Sequence, residues 1–296
     1  MTDVEAPSGK GAGDENFPVG SWLLPAKLRP HVMAFYDFVR AADDIADHAE
    51  LPAADKLARL EVFEQALLGD PSALVSVPKA ETLRSSLAAT GVTHRHALDL
   101  LQAFKQDVTK LRYDDWQDLL GYCSLSASPV GRFLLDLHGE STDLYALSDP
   151  LCDALQVLNH LQDCRDDFLN LDRIYLPKES FAAAGIDVDE VGRPAATEGM
   201  RRVLDQALDG SDELLRRSAD LARSMTSRRL AAETAVIHAM ARTLSTKLRA
   251  DDPLAARVSL SKPRFLLAAL GGIARLDWLH RGRHDLSQAG DVEGGR

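Results

Sequence analysis

The chain has 296 residues, 45% of them hydrophobic, enough to enclose one large helical core or two small ones. Asp and Glu outnumber Lys and Arg by 45 to 34, for a net charge of -11. Affinity for a phosphate backbone comes from clustered cations, so this balance argues against nucleic acid as a partner. Three cysteines, Cys123, Cys152 and Cys164, form no C-x-x-C pair; they suggest neither a disulfide framework nor a zinc site and fit a reducing cytoplasm.

Residues 1–15 are polar and Gly-rich, lack the apolar centre of a signal peptide, and read as a disordered leader. Beyond them apolar residues recur at helical spacing and no run alternates long enough for a strand, so the fold class is all-α. Helices are expected near 30–48, 52–68, 79–90, 93–110, 116–138, 149–169, 200–225 and 228–249. Turn residues separate them at Gly69-Asp70-Pro71, Gly91, 139–141, 185–194 and Asp251-Asp252-Pro253. No linker or repeat divides the chain, so one domain is expected over 16–280, followed by a polar, flexible tail at 281–296. The most apolar stretch, 265–279, contains Gly271, Gly272 and Arg275 and falls short of the roughly 20 apolar residues of a membrane span. A buried helix is the favoured reading there, with peripheral membrane contact the alternative.

In the first helix, Leu28, Val32, Phe35, Val39 and Ala42 form a core-facing stripe. At about 100° per residue, Tyr36, Arg40, Asp43 and Asp47 project within roughly 60° of one another beside it, with Asp44 slightly outside. Asp43 and Asp47 stand at i and i+4 and repel unless a cation lies between them. Taken alone, this D-D-x-x-D reads more readily as a solvated face. A second cluster lies in V-L-N-H-L-Q-D-C-R-D-D-F-L-N-L-D-R-I-Y-L-P at 157–177, where Asn159, Asp163 and Asp167 share one face. The row of Leu151, Leu155, Leu158 and Leu169 adjoins that face, and Asp166 lies between the row and Asn159. Oxygen-only ligands suit Mg²⁺ rather than zinc. Two such clusters on facing helices can hold metal ions that bridge to one diphosphate and neutralise the departing group.

Y-D-F-V-R-A-A-D-D-I-A-D at 36–47 and the segment at 159–177 together resemble the two aspartate motifs of the squalene and phytoene synthase family, a likeness spanning about 16–264. Y-C-S-L-S-A-S-P-V-G-R at 122–132 is similar to the family's Tyr-Cys helix, where Pro129 and Gly131 supply the break that opens the substrate cavity. N-F-P-V-G-S-W-L-L-P at 16–25, F-K-Q-D-V-T-K-L-R-Y at 104–113 and S-A-S-P-V-G-R at 126–132 resemble the hydroxysqualene-forming branch of bacterial squalene and hopanoid pathways.

The resemblance implies a single-domain helical bundle of the isoprenoid (terpenoid) synthase type with a central apolar cavity. It implies a Mg²⁺-dependent carbon–oxygen lyase converting presqualene diphosphate and water to hydroxysqualene and diphosphate. Carried over by motif, Asp43, Asp44, Asp47, Asn159, Asp163 and Asp167 are metal-associated, with Asp43, Asp47, Asp163 and Asp167 catalytic. Arg40, Arg173 and Arg257 contact diphosphate through paired guanidinium donors, beside Tyr36 and Tyr175. Phe35, Phe104, Tyr122, Ser126 and Phe168 line the cavity; Phe35, Tyr122 and Phe168 can face a cation but suit a plain core better. Lys105, Gln106, Asp107, Lys110, Ser126 and Ser128 are candidates to anchor the quenching water, although Asp107 and Lys110 suit an i, i+3 surface pair equally well.

Two positions depart from the family pattern. Gln162 stands where members that join two farnesyl diphosphates carry Arg, and Met240 where a tyrosine is expected; the missing cation mildly favours the reaction that holds a single diphosphate. Gly11 and Gly13 lie in a polar leader rather than after a strand, so no dinucleotide fingerprint supports reduction in the same chain and no nicotinamide cofactor is expected. A presqualene diphosphate synthase and a hydroxysqualene reductase are the implied pathway partners. The rival readings are a condensing synthase acting on two farnesyl diphosphates, a phytoene-type synthase and a silent helical scaffold.

Overall fold

A computed structural model describes residue 4 and residues 24–70 and 75–260. Most of the leader, the segment at 16–23, the apolar stretch at 265–279 and the tail from 281 lie outside these described residues. The described chain is helical throughout, as the periodicity predicts. In order come α1 (Arg29–Ala46), α2 (Ala53–Leu68), α3 (Pro78–Thr90), α4 (Arg95–Thr109), α5 (Trp116–Ser126), α6 (Ser128–Leu137), α7 (Tyr145–Leu171), α8 (Lys178–Ala184), α9 (Glu198–Arg217), α10 (Leu221–Ser224) and α11 (Arg228–Ala250). Two 3₁₀ turns, Thr142–Leu144 and Val188–Gly192, join them. The extended pairing described is a lone parallel bridge between Arg112 and Ile174.

Local chemistry starts and stops these helices where the sequence places capping residues. Asp115, Thr197 and Ser227 accept the backbone N–H of Asp118, Met200 and Leu230, filling donors that the first turn leaves free. Gly69 and Gly91 end α2 and α3 at φ 70° and 73°, a left-handed turn that a side chain would strain.

The helix expected over 116–138 is two helices. It breaks at Ala127, at φ -127° and ψ -51°. Pro129 has no N–H to continue the ladder and instead falls in the first turn of α6. The expected 200–225 helix likewise divides into α9 and α10, and α8 is too short for its periodicity to show in sequence.

α7 is the hub, packed against α5, α6, α9 and α11, while α1 is held by α2, α3 and α4. One apolar cluster runs through both groups. Phe35 of α1 stacks on Phe133 of α6 with ring centroids 3.9 Å apart, joining the two. The α1 stripe is wider than Leu28, Val32, Phe35, Val39 and Ala42, because Phe38, Ala41 and Ile45 are buried as well. Leu169 leaves the expected α7 row: it is 54% exposed, near the end of the helix. Among the described residues, no helix is long and apolar enough to cross a membrane.

Candidate active site

The acidic face of α1 is tied up by its own arginine. Arg40 donates from Nη2 to Asp44 at 2.7 Å and pairs through Nη1 with Asp43 at 3.0 Å. Asp44, expected slightly outside the arc, is instead buried against Arg40. Asp47 lies at the end of the helix and receives Arg173 Nη1 at 3.1 Å.

Arg173 comes from the turn after α7, so this contact brings the two aspartate-bearing helices together. Its Nη2 donates to the Asp107 backbone carbonyl at 3.0 Å, its Nη1 donates to the Tyr175 hydroxyl at 3.1 Å, and its Nε faces the Asp107 carboxylate at 3.8 Å. On α7, Asp163 is held by both arms of Arg257, at 2.7 and 3.1 Å. Beside it, buried Gln162 donates to the Val258 carbonyl at 2.5 Å. Gln162 therefore pins the segment carrying Arg257, and its neutral amide suits a carbonyl partner. The Asp167 carboxylate makes no ion pair among the described residues.

Asp107 sits behind both clusters. It is 4% exposed, and its carboxylate accepts the hydroxyls of Tyr122 at 2.7 Å and Tyr175 at 3.0 Å. Of the two readings open for Asp107, the surface pair with Lys110 does not form: Lys110 binds Asp118, and α4 turns its Asp107 face inward against α5. His160 stacks on the Tyr175 ring with centroids 3.4 Å apart. Burial holds that imidazole neutral, pushing its pKa down to about 3.

Asp43, Asp44, Asp47, Asp107 and Asp163 thus share Arg40, Arg173 and Arg257, and Asp167 feels the Arg173 charge without pairing to it. Burial first, and crowding of the acids second, raise their proton affinity. Asp43 is pushed up to about 8 by loss of bulk water and by Asp47. Asp167 is pushed up to about 7 by burial and by Asp163, with smaller contributions from Asp47 and Asp107. Asp107 reaches about 6 through burial, restrained by Arg173 and the Tyr122 hydroxyl. Asp167 on α7 feels Asp47 on α1, so the two acidic faces share one electrostatic site.

The squalene/phytoene synthase family model matches residues 11–264. The chain belongs to the squalene/phytoene synthase family. Hydroxysqualene synthase of Rhodopseudomonas palustris is 44% identical over 91% of both chains, and that of Zymomonas mobilis 43% identical over 91% of both. A crystal structure of a squalene synthase from Alicyclobacillus acidocaldarius has the same fold, with TM-score 0.69 and 32% identity over 78% of this chain and 87% of that one.

For a squalene/phytoene synthase the donor set fits a hydrated divalent cation, which needs only one or two carboxylates and completes its shell with water and phosphate oxygens. Among the described residues, no three acidic, histidine or cysteine side chains already converge on a metal point. The arginines pairing with Asp43, Asp47 and Asp163 account for their present positions.

Of the other expected site residues, Tyr36 and Asn159 are half-buried on the α1 and α7 faces that carry the acids. Phe35, Phe104 and Tyr122 are buried in the core cluster. Phe168 is half-buried under Arg112, with its ring against Gly192, where an added Cβ would lie 2.7 Å away. Most water-anchor candidates are engaged elsewhere. Lys105 pairs with Glu61 and Glu64 and Ser128 donates to Asp153, whereas buried Ser126 Oγ has no partner among the described residues. Met240 is fully buried.

Lys56, absent from the sequence reading, donates from Nζ to the Ala46 carbonyl at 2.8 Å, close enough to Asp47 and Arg173 for both charges to act on its ammonium. No local signal distinguishes it from any lysine on a first helical turn.

Proposed function

We propose that the chain is a hydroxysqualene synthase, converting presqualene diphosphate and water to hydroxysqualene and inorganic diphosphate with Mg²⁺ as cofactor. The supporting observation is the meeting of the α1 and α7 acids around Arg173, in a chain matched over 91% of its length by hydroxysqualene synthases. The carbon–oxygen bond to diphosphate breaks with its electron pair on the leaving group; a new bond forms from carbon to water, which gives up a proton. The reaction class is that of a carbon–oxygen lyase.

Asp43, Asp47, Asp163 and Asp167 would hold the metal ions, assisted by Asp44 and Asn159. Bound Mg²⁺ would neutralise charge on the departing diphosphate. Arg40, Arg173 and Arg257 would offer their paired donors to phosphate oxygens, with Lys56, Tyr36 and Tyr175 beside them. Phe35, Phe104, Tyr122, Ser126 and Phe168 wall the isoprenoid cavity, which excludes bulk water while the carbon skeleton rearranges. The working unit is one domain over 16–280, operating in the cytoplasm. It acts between a presqualene diphosphate synthase and a hydroxysqualene reductase.

The purified protein is incubated with Mg²⁺ and presqualene diphosphate, or with farnesyl or geranylgeranyl diphosphate alone, and products are identified by mass. Hydroxysqualene in the first tube only is expected. The Asp163→Asn variant should turn over about a hundredfold more slowly, the scale seen when one electrostatic partner of a transition state is removed. Presqualene diphosphate formed from farnesyl diphosphate, or phytoene from geranylgeranyl diphosphate, would overturn the assignment.

A further inference from the structure

The connector between α4 and α5 lies against the connector between α7 and α8, and one side chain locks them. The backbones meet where Ile174 N–H donates to the Leu111 carbonyl at 3.0 Å and Lys178 N–H to the Tyr113 carbonyl at 2.9 Å. Across this seam Arg112 donates from Nη1 to the Asp172 carbonyl and from Nη2 to the Asp172 carboxylate at 2.6 Å. Its guanidinium also lies over the Phe168 ring, 5.9 Å from the centroid.

Asp172 is the one described non-glycine residue with positive φ, at 51°. A residue with a Cβ stays in the left-handed region only when its surroundings hold it there. This turn has site residues on both sides. The Arg173 N–H reaches back to the Asp167 carbonyl at 3.2 Å, and the Arg173 side chain then runs forward to Asp47 and Asp107.

We propose that Arg112 is a positioning residue for diphosphate: by holding Asp172 in its left-handed turn, it sets where Arg173 and Asp167 stand. This inference rests on the reading of Arg173 as a diphosphate ligand and deepens it. A bare surface ion pair would have no such reach, and the Asp172 side chain is 68% exposed. Two charged donors on a single residue in a strained conformation, one of them on its backbone, give Arg112 leverage over the path of the chain.

Glycine adopts positive φ without help, so it separates this role from simple charge pairing. Binding of inorganic pyrophosphate with Mg²⁺ is measured by calorimetry, alongside thermal melting, for the wild type, Arg112→Ala, Asp172→Val, Asp172→Gly and the Arg112→Ala/Asp172→Gly double variant. Arg112→Ala and Asp172→Val should each weaken binding about tenfold, the effect expected of a misplaced rather than a missing ligand. Asp172→Gly should bind like the wild type, and the double variant should recover most of the affinity lost in Arg112→Ala. Wild-type affinity in Arg112→Ala or in Asp172→Val, or a double variant as weak as Arg112→Ala, overturns the inference. A wild type that fails to bind pyrophosphate instead refutes Arg173 as a ligand and takes this inference with it.

Discussion

Asp107 joins α4, α5 and the strand-like connector after α7 through two tyrosine hydroxyls and a facing guanidinium. Two accepted hydroxyls and a nearby cation are what allow a carboxylate to stay at 4% exposure. Replacing it by alanine leaves Tyr122 and Tyr175 without their acceptor and Arg173 with Asp47 as its acidic partner. Asp107→Ala should lower stability by roughly 2 kcal/mol, the cost of unsatisfied buried donors, measurable by urea unfolding. It should also raise the KM for the diphosphate substrate, because Arg173 loses its backing.

At this scale the sequence was legible where a residue's position follows from its own helix face, as with the neighbouring Arg40 and Asp43. It was not legible where the partner is tertiary. Spacing alone offered Asp107 the nearby Lys110, whereas the fold gives it tyrosines from two other segments and sends Lys110 to Asp118. Gln162 lacks the cation of its condensing relatives, and spacing gives no hint that its amide donates to a carbonyl 96 residues away.

At the scale of elements, the α5–α6 break and the α6–α7 contact depend on residues that look alike in sequence. An alanine Cβ at Gly131 would lie 2.4 Å from Ser148 Oγ and 2.6 Å from Cys152 Sγ, both on α7. The same Cβ at Gly121, exposed on α5, would meet nothing within 4 Å. Gly131→Ala should therefore cost about 1–3 kcal/mol through overpacking. Gly121→Ala should be neutral or stabilise by up to about 1 kcal/mol through helix propensity. Thermal melting of the two variants separates them. Pro129 and Gly131 announced a break in sequence, but its location at Ala127 and the division of the expected 116–138 helix depend on how α6 packs on α7.

For the whole molecule, hydrophobic spacing sufficed for the all-α class because that is written in local periodicity, and the family showed in the resemblance of the two aspartate motifs and the segment at 122–132. The Arg257 segment over Asp163 and the seam at Arg112 are long-range contacts and left no trace in spacing. The charge imbalance of the assembled site has its own signature. Asp43 at about 8 and Asp167 at about 7 both stand above the unfolded value of 3.8, so between those limits the folded protein keeps protons that the unfolded chain has released. Their contribution to stability is complete below about pH 4 and is lost as pH rises through about 7 to 8. Divalent cations bound by these acids would displace those protons. Stabilisation by Mg²⁺ and pyrophosphate, read as a rise in Tm, should therefore be larger at pH 8.5 than at pH 6; an equal rise at both would count against these acids as ligands.

Divalent cations held by α1 and α7 around one diphosphate would be located by anomalous X-ray scattering from crystals soaked in Mn²⁺ and pyrophosphate. Peaks beside Asp43 and Asp47 and beside Asp163 and Asp167, with Arg173 turned to the anion between them, are predicted. Manganese at the outer surface only, or pyrophosphate bound away from Arg173, would contradict the account.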